Sequence, residues 1–304
     1  MNQILVGTAS WADPSLVKSG LFYPKSAKSA EDRLRHYARS FSLVEVDSSY
    51  YAIPSPHAAA LWNERTPDTF IFNIKAFRLL TQHPTEPRML PPDVREELAN
   101  WPKKNVYYND LAGELKTEVW HEFTTALEPL RLNGKLGALL FQFPKWFLPN
   151  RANFDHLREI RRRLEKYMVA VEFRSALWFD QSHRDKTLAF ERDQEFTNVI
   201  VDEPQLGAST IPAVWEVTNE SLAMVRMHGR NTETWDKPGL RSASERFNYD
   251  YTEQELGELV PDVRQVAKRA ESTHVIFNVN HVDQGIRGAQ MMRRLLDEQD
   301  ASSR

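Results

Sequence analysis

Cysteine is absent from the chain, which removes disulfides, thiolate zinc sites and cysteine nucleophiles together. Long apolar runs are missing too: no uncharged stretch approaches the ~20 residues needed to span a bilayer. The opening Met1-Asn-Gln-Ile-Leu-Val-Gly-Thr-Ala-Ser10 has neither a basic leader segment nor an extended apolar one. A cytoplasmic location and no membrane partner are therefore expected. Nor is there an excess of charge of one sign. A net charge of -3 argues against a surface that embraces a polyanion as a whole, leaving room for a local basic site. Glycine is scarce, at 11 of 304 residues. Gly7-Thr-Ala-Ser-Trp11, where a dinucleotide-binding sheet carries its glycine-rich phosphate loop, is not such a loop. What remains is a globular composition, 41% hydrophobic and 27% charged, with enough apolar surface for a sizeable core.

Short apolar runs recur along the chain at Ile4–Ala9, Leu43–Asp47, Thr69–Lys75, Leu136–Gln142, Tyr167–Phe173, Asn198–Asp202, Leu222–His228 and Thr273–Asn280. Each reads as a strand. Between most of them lie stretches with helical spacing: Ser29–Ser40, a helix opened by Pro56, Thr117–Leu130, Phe154–Glu165, His183–Arg192, Thr252–Glu271 and Asp283–Asp297. Residues 81–104 carry Pro84, Pro87, Pro91, Pro92 and Pro102, so they predict an excursion with at most a short helix. Ala213–Thr218 is a candidate extra strand. Strands alternating with helices predict an α/β fold, a single-domain (β/α)8 TIM-type barrel with long loops after strands three, six and seven. Residues 1–298 form that domain and 299–304 a short polar tail. An open doubly wound sheet is the alternative, disfavoured by the missing phosphate loop.

Strand parity turns this fold into a site prediction. Side chains two apart on a strand share a face. Glu45 with Asp47, Asn73 with Lys75, Glu172 with Arg174, Arg226 with His228, and Asn278 with Asn280 each form such a pair near a strand's C-terminal end. The alternating positions, including Val44, Phe72, Val171, Val225 and Phe277, are apolar and are expected to face the helices. Gln142 and Asp202 add single polar residues at the ends of strands four and six. Barrel interiors are ordinarily filled by branched apolar side chains, and barrel enzymes place their sites at the C-terminal end. Five polar pairs there point to a site. The competing reading is an ion-pair network that closes the barrel. Repeating such a network has little structural advantage, because burying charges costs several kcal/mol unless they are well paired.

Further motifs follow in one order: Gly7-Thr-Ala-Ser-Trp11, Phe22-Tyr-Pro, Val44-Glu45-Val-Asp47-Ser-Ser-Tyr50-Tyr51, Phe72-Asn73-Ile-Lys75, Phe141-Gln142-Phe-Pro144, Val171-Glu172-Phe-Arg174 with Trp178, Val225-Arg226-Met-His228-Gly229-Arg230, Tyr249-Asp-Tyr251 and Phe277-Asn278-Val-Asn280. On these the chain resembles the YecE-like family, also called domain of unknown function 72, over nearly its whole length. The resemblance implies a barrel and no particular activity. The tail Asn278-Val-Asn280-His281 departs slightly from the paired asparagines associated with the family.

Residue chemistry suggests roles. Lys75, Arg174 and Arg226 suit a clamp on phosphate or carboxylate. Glu45 and Glu172 are candidate general acid and base, because crowded carboxylates have their pKa values driven apart. His228 is a candidate proton shuttle. Asp47, Asn73, Gln142, Asp202, Asn278 and Asn280 are candidate substrate contacts, and Trp11, Tyr51, Trp178 and Trp235 candidate stacking surfaces. No cofactor is expected. A divalent metal on Glu45, Asp47, Glu172, Asp202 and His228 is disfavoured by the three nearby cations. Arg161-Arg-Arg163 reads as the solvated face of a helix, and His36, His57, His121 and His156 as ordinary helical residues. The segment Gly229–Tyr251, carrying Arg230, Trp235, Arg241 and Arg246, is expected to act as a lid. The leading hypothesis is an enzyme, hydrolase-type, using acid–base chemistry on a small anionic ligand such as a sugar phosphate or nucleotide-like phosphoester. A nucleic-acid-binding barrel or nuclease and a non-catalytic ligand sensor or scaffold are the alternatives. Oligomeric state is not legible.

Overall fold

The computed structural model describes residues 2–239 and 245–302. Eight parallel strands close into one barrel in chain order: β1 (Gln3–Thr8), β2 (Leu43–Val46), β3 (Ile71–Lys75), β4 (Leu136–Gln142), β5 (Met168–Glu172), β6 (Phe196–Asp202), β7 (Leu222–Met227) and β8 (Ser272–Phe277). Closure is made by β1 on β8, in register from Gln3 with Ser272 to Thr8 with Phe277. The helices are α1 (Pro14–Ser19), α2 (Ala30–Ser40), α3 (Pro56–Glu64), α4 (Pro92–Glu97), α5 (Gly113–Leu132), α6 (Arg151–Arg163), α7 (Arg184–Asp193), α8 (Glu253–Ala267) and α9 (Gln284–Ser302). No helix among the described residues is long and apolar enough to cross a membrane.

Alternation along each strand divides the apolar residues between two compartments. Val44, Phe72, Ile74, Val171, Val225 and Phe277 belong to the large outer core shared with the helices. Leu140, Ala170, Val199, Val201 and Met224 form one smaller interior cluster, and Leu5, Ala9, Leu43 and Ile276 another. The interior is thus apolar near its base and charged near its C-terminal end. Local signals set where helices begin. Ser29 and Asp32 form the reciprocal cap of α2, and Thr252 and Glu255 that of α8.

The strands end earlier than their apolar runs do. Asp47 opens a short 3-10 turn, and Arg174, His228, Asn278 and Asn280 all lie beyond their strands. Ala213–Thr218 forms no strand. Its residues instead cap β6 by side-chain bonds: Thr218 Oγ1 accepts from Asn198 N at 2.7 Å, and Asn198 Nδ2 donates to Val214 O at 3.2 Å. The proline-rich excursion follows a 3-10 turn at Arg78–Thr81 and holds α4 and a second such turn, Pro87–Met89. The last helix runs through Ser302 rather than giving way to a tail at 299, while Ser303 and Arg304 lie outside the described residues.

Candidate functional site

Arg226 sits at the centre of the charged end of the barrel and has no exposed surface. Its two terminal nitrogens reach carboxylates on opposite walls: Nη2 donates to Glu45 Oε1 at 2.6 Å and Nη1 to Glu172 Oε2 at 2.5 Å. Glu172 is saturated. Its Oε1 also accepts from His228 Nε2 at 3.1 Å and lies 3.2 Å from Arg174 Nη1. Arg174 is shared in turn with Glu203, whose Oε2 lies 2.8 Å away. The amide nitrogen of Asn278 lies 2.9 Å from His228 Nδ1. An amide nitrogen can only donate, so the ring proton sits on Nε2 and points at Glu172. A chain of contacts therefore runs Asn280, Asn278, His228, Glu172, Arg226, Glu45.

The two carboxylates that share Arg226 are driven apart. Burial pushes Glu45 up to about 7, because one shared guanidinium does not offset its desolvation and Asp47 adds a like charge. Burial pushes Glu172 in the same direction, but Arg226, His228 and Arg174 together outweigh it and hold Glu172 well below the usual carboxylate range. Burial lowers His228 to about 4, so the ring is neutral at pH 7 with both nitrogens engaged. In that arrangement the ring, expected from sequence as a proton shuttle, bridges Glu172 and Asn278. Glu45 Oε2 is buried with no hydrogen-bond partner among the described residues, as is Arg226 Nε beside it.

Above this network the mouth opens into a cavity of about 560 Å³, within the range of small-molecule sites. Asp47, Lys75, Gln142, Asn278, Asn280 and Tyr51, all expected site residues, lie on its wall. Lys75 Nζ pairs with Asp47 Oδ1 at 3.2 Å and stands over the Tyr50 ring at 5.0 Å. Gln142 Oε1 is buried without a hydrogen-bond partner among the described residues. A larger groove of about 670 Å³ lies outside the mouth between residues 51–56 and 88–92. It shares Tyr51 with the cavity but contains none of the polar pairs. No three His, Asp or Glu side chains among the described residues are arranged to hold a metal ion.

Several expected contacts lie elsewhere. Arg226 and Arg174 are engaged by carboxylates inside the barrel and do not form an open anion clamp with Lys75. Asn73 points inward but lower down, its Oδ1 accepting from Ala138 N at 2.9 Å and meeting His274 Nδ1 at 3.1 Å. Gly137 makes this possible, since a Cβ there would lie 2.4 Å from Asn73 Oδ1. Trp11 packs edge-on against Trp62 and Phe72 in the outer core. Trp178 is fully buried, stacked on Phe173 at 3.9 Å with Nε1 donating to Phe147 O. Neither tryptophan reaches the cavity wall. Trp235 is nearly buried and covers Arg174 at 5.4 Å.

Asp202 faces outward. It accepts two bonds from Arg230 Nε at 3.1 Å, one from Arg230 Nη2 at 2.7 Å and one from Tyr251 Oη at 2.5 Å. Tyr251 Oη also accepts from Gly229 N at 2.9 Å. These bonds tie together the two ends of the segment expected to be a lid. Gly229 has φ +81°, and a Cβ there would lie 2.5 Å from Tyr249 Cβ, so the turn requires glycine. Arg246 and Phe247 from this segment line the cavity. Arg241 lies outside the described residues. The interior position assigned to Asp202 is taken by Glu203, which sequence reasoning missed. Parity counted from Val199 and Val201, both interior, leads to Glu203. In the sequence, however, the apolar run Val199-Ile-Val201 does not reveal which face is which.

An eight-stranded parallel barrel with a buried ion cluster under a polar cavity at its C-terminal mouth defines a class of proteins rather than a reaction. The chain belongs to the family described as protein of unknown function DUF72, whose model matches residues 5–304. It is similar to UPF0759 protein YunF of Bacillus subtilis (strain 168), 30% identical over 296 residues that cover 97% of this chain and 95% of that protein. UPF0759 protein YecE of Escherichia coli (strain K12) matches at 33% identity over 72 residues, 24% of this chain and 23% of that protein. Among solved structures, a DUF72 family protein of Enterococcus faecalis V583 superposes with a TM-score of 0.79 at 27% identity, covering 97% of this chain and 96% of that one. One of Thermotoga maritima MSB8 does so with a TM-score of 0.75 at 27% identity, covering 97% and 99%.

Proposed function

We propose that the mouth is the active site of an enzyme that uses Glu45 for proton transfer on a small anionic substrate. The observation that carries this reading is the unequal pair of carboxylates on Arg226. Glu172 is a fixed counter-charge with both oxygens occupied. Glu45 is poised near neutrality with one oxygen unpartnered among the described residues. A group whose pKa lies close to the working pH has an appreciable population of both proton-transfer states. Lys75 and Arg246 on the cavity wall suit the substrate's anionic group, and hydrolysis of a phosphoester fits this division of labour.

The test screens phosphorylated and carboxylated metabolites for thermal stabilisation of the protein, then follows turnover by mass spectrometry. Glu45→Gln keeps the shape of the side chain and removes its proton chemistry. It is expected to retain ligand-induced stabilisation and to lose about 100-fold or more in rate. Turnover unchanged in Glu45→Gln, or no stabilisation by any anionic ligand, overturns the reading.

A further inference from the structure

We infer that the ligand of the mouth cavity is polyhydroxylated, a sugar acid or sugar phosphate rather than a plain aliphatic anion. This deepens the proposed function and rests on its placing the substrate in the mouth. The inference starts from oxygen acceptors. Glu45 Oε2 and Gln142 Oε1 are buried and neither meets a donor among the described residues, and Arg226 Nε at the same end of the barrel is buried there without an acceptor. Buried polar atoms without partners are unfavourable, so a set holding both acceptors and a donor suits a ligand group that can itself donate and accept. Both belong to the same end of the barrel. Gln142 lines the cavity, and Lys75 and Asp47 on the wall are near enough to act on the charge of Glu45.

A hydroxyl suits these acceptors better than an ammonium group. The charged side chains lining the cavity are Asp13, Asp47, Lys75 and Arg246, two of each sign. Asp13 is committed to capping α1, and Asp47 faces Lys75. No net negative charge remains to attract a cation. A hydroxyl, moreover, donates and accepts. It can give its hydrogen to Gln142 Oε1 while accepting from Asn280 or Lys75 on the same wall. Tyr50 and Phe247 supply flat apolar faces beside these polar groups, as the C–H face of a polyol requires. An aliphatic chain in the same place leaves Gln142 Oε1 unmet.

Isothermal titration calorimetry with matched probes tests this. Gluconate is compared with hexanoate, ribose 5-phosphate with pentyl phosphate, and β-alanine supplies an ammonium group. In at least one pair the hydroxylated member is expected to bind about tenfold tighter or more, as for a site built to hydrogen-bond a hydroxyl. Gln142→Leu is expected to remove most of that preference, and Gln142→Glu, which keeps an acceptor, to retain it. Equal or tighter binding of the deoxygenated members overturns the inference while leaving the mouth as an anion site. So does a preference that survives Gln142→Leu, or binding of β-alanine in place of the polyols. Failure of every probe to bind overturns the substrate-site reading itself.

Discussion

Glu45→Gln should become more stable relative to the wild-type protein as the pH rises, and the amount follows from the geometry around Arg226. Glu45 has no exposed surface and shares with Glu172 the guanidinium of Arg226, its one ion-pair partner among the described residues. Its carboxyl stands at about 7 against an ordinary 4.5. Each unit of that difference is worth about 1.4 kcal/mol, about 3 kcal/mol in all. The sign follows from which state holds the proton more tightly. Between 4.5 and about 7 that state is the folded one, so the stabilisation is complete below 4.5 and is lost as pH rises through about 7. Glutamine does not titrate and keeps its contribution constant. His83, His228 and His274, each lowered to about 4 chiefly by burial, also make stability pH-dependent. They work in the opposite direction, since the unfolded chain binds their protons more readily and stability falls as pH drops from 6.5 towards 4. Their contribution is common to both proteins and cancels in the difference. Urea unfolding followed by tryptophan fluorescence, at half-unit steps from pH 5 to pH 8, measures that difference. It should grow by about 2.5 kcal/mol in favour of the variant across this range. A difference that stays level, or moves the other way, refutes the assignment of Glu45 as the raised carboxyl.

Arg226→Met leaves two buried carboxylates without their shared cation and is expected to cost about 3–5 kcal/mol in urea unfolding at pH 7. The triple change Glu45→Gln, Glu172→Gln, Arg226→Met should recover most of that loss, and a triple variant as unstable as Arg226→Met alone contradicts the pairing. Glu191 on α7 is fully buried, has no hydrogen-bond partner for either oxygen among the described residues and is pushed well above the usual carboxylate range by burial. Glu191→Met should therefore stabilise the protein by about 1–3 kcal/mol at pH 8 in the same assay, and destabilisation would show an unrecognised role for the acid. Tyr251→Phe removes the hydroxyl that joins Gly229 N to Asp202, worth about 1 kcal/mol. Limited proteolysis within 229–251 should become several-fold faster, and an unchanged cleavage rate excludes this clamp as the restraint on the segment.

Much of the barrel and part of its site are legible in the residues themselves. Glu45, Lys75, Glu172 and Arg226 alternate with Val44, Ile74, Val171 and Val225, so a two-residue period separates inside from outside at β2, β3, β5 and β7. Where both faces are apolar that period vanishes. Val199-Ile-Val201 is buried on each side, and only barrel closure decides that Asp202 turns out to Arg230 and Tyr251 while Glu203 turns in to Arg174. Partnership is not a local property either. Arg226 lies 181 positions from Glu45, and its choice of two carboxylates depends on which strands the closed barrel sets opposite each other. The same limit applies to Trp178, which looks like a stacking surface in the sequence and is core in the structure. Composition and alternation along the chain dictate which side chains must be hidden and which strand ends carry charge. Distance, partner and solvent access are set by packing in three dimensions, and so are the proton affinities that separate Glu45 from Glu172.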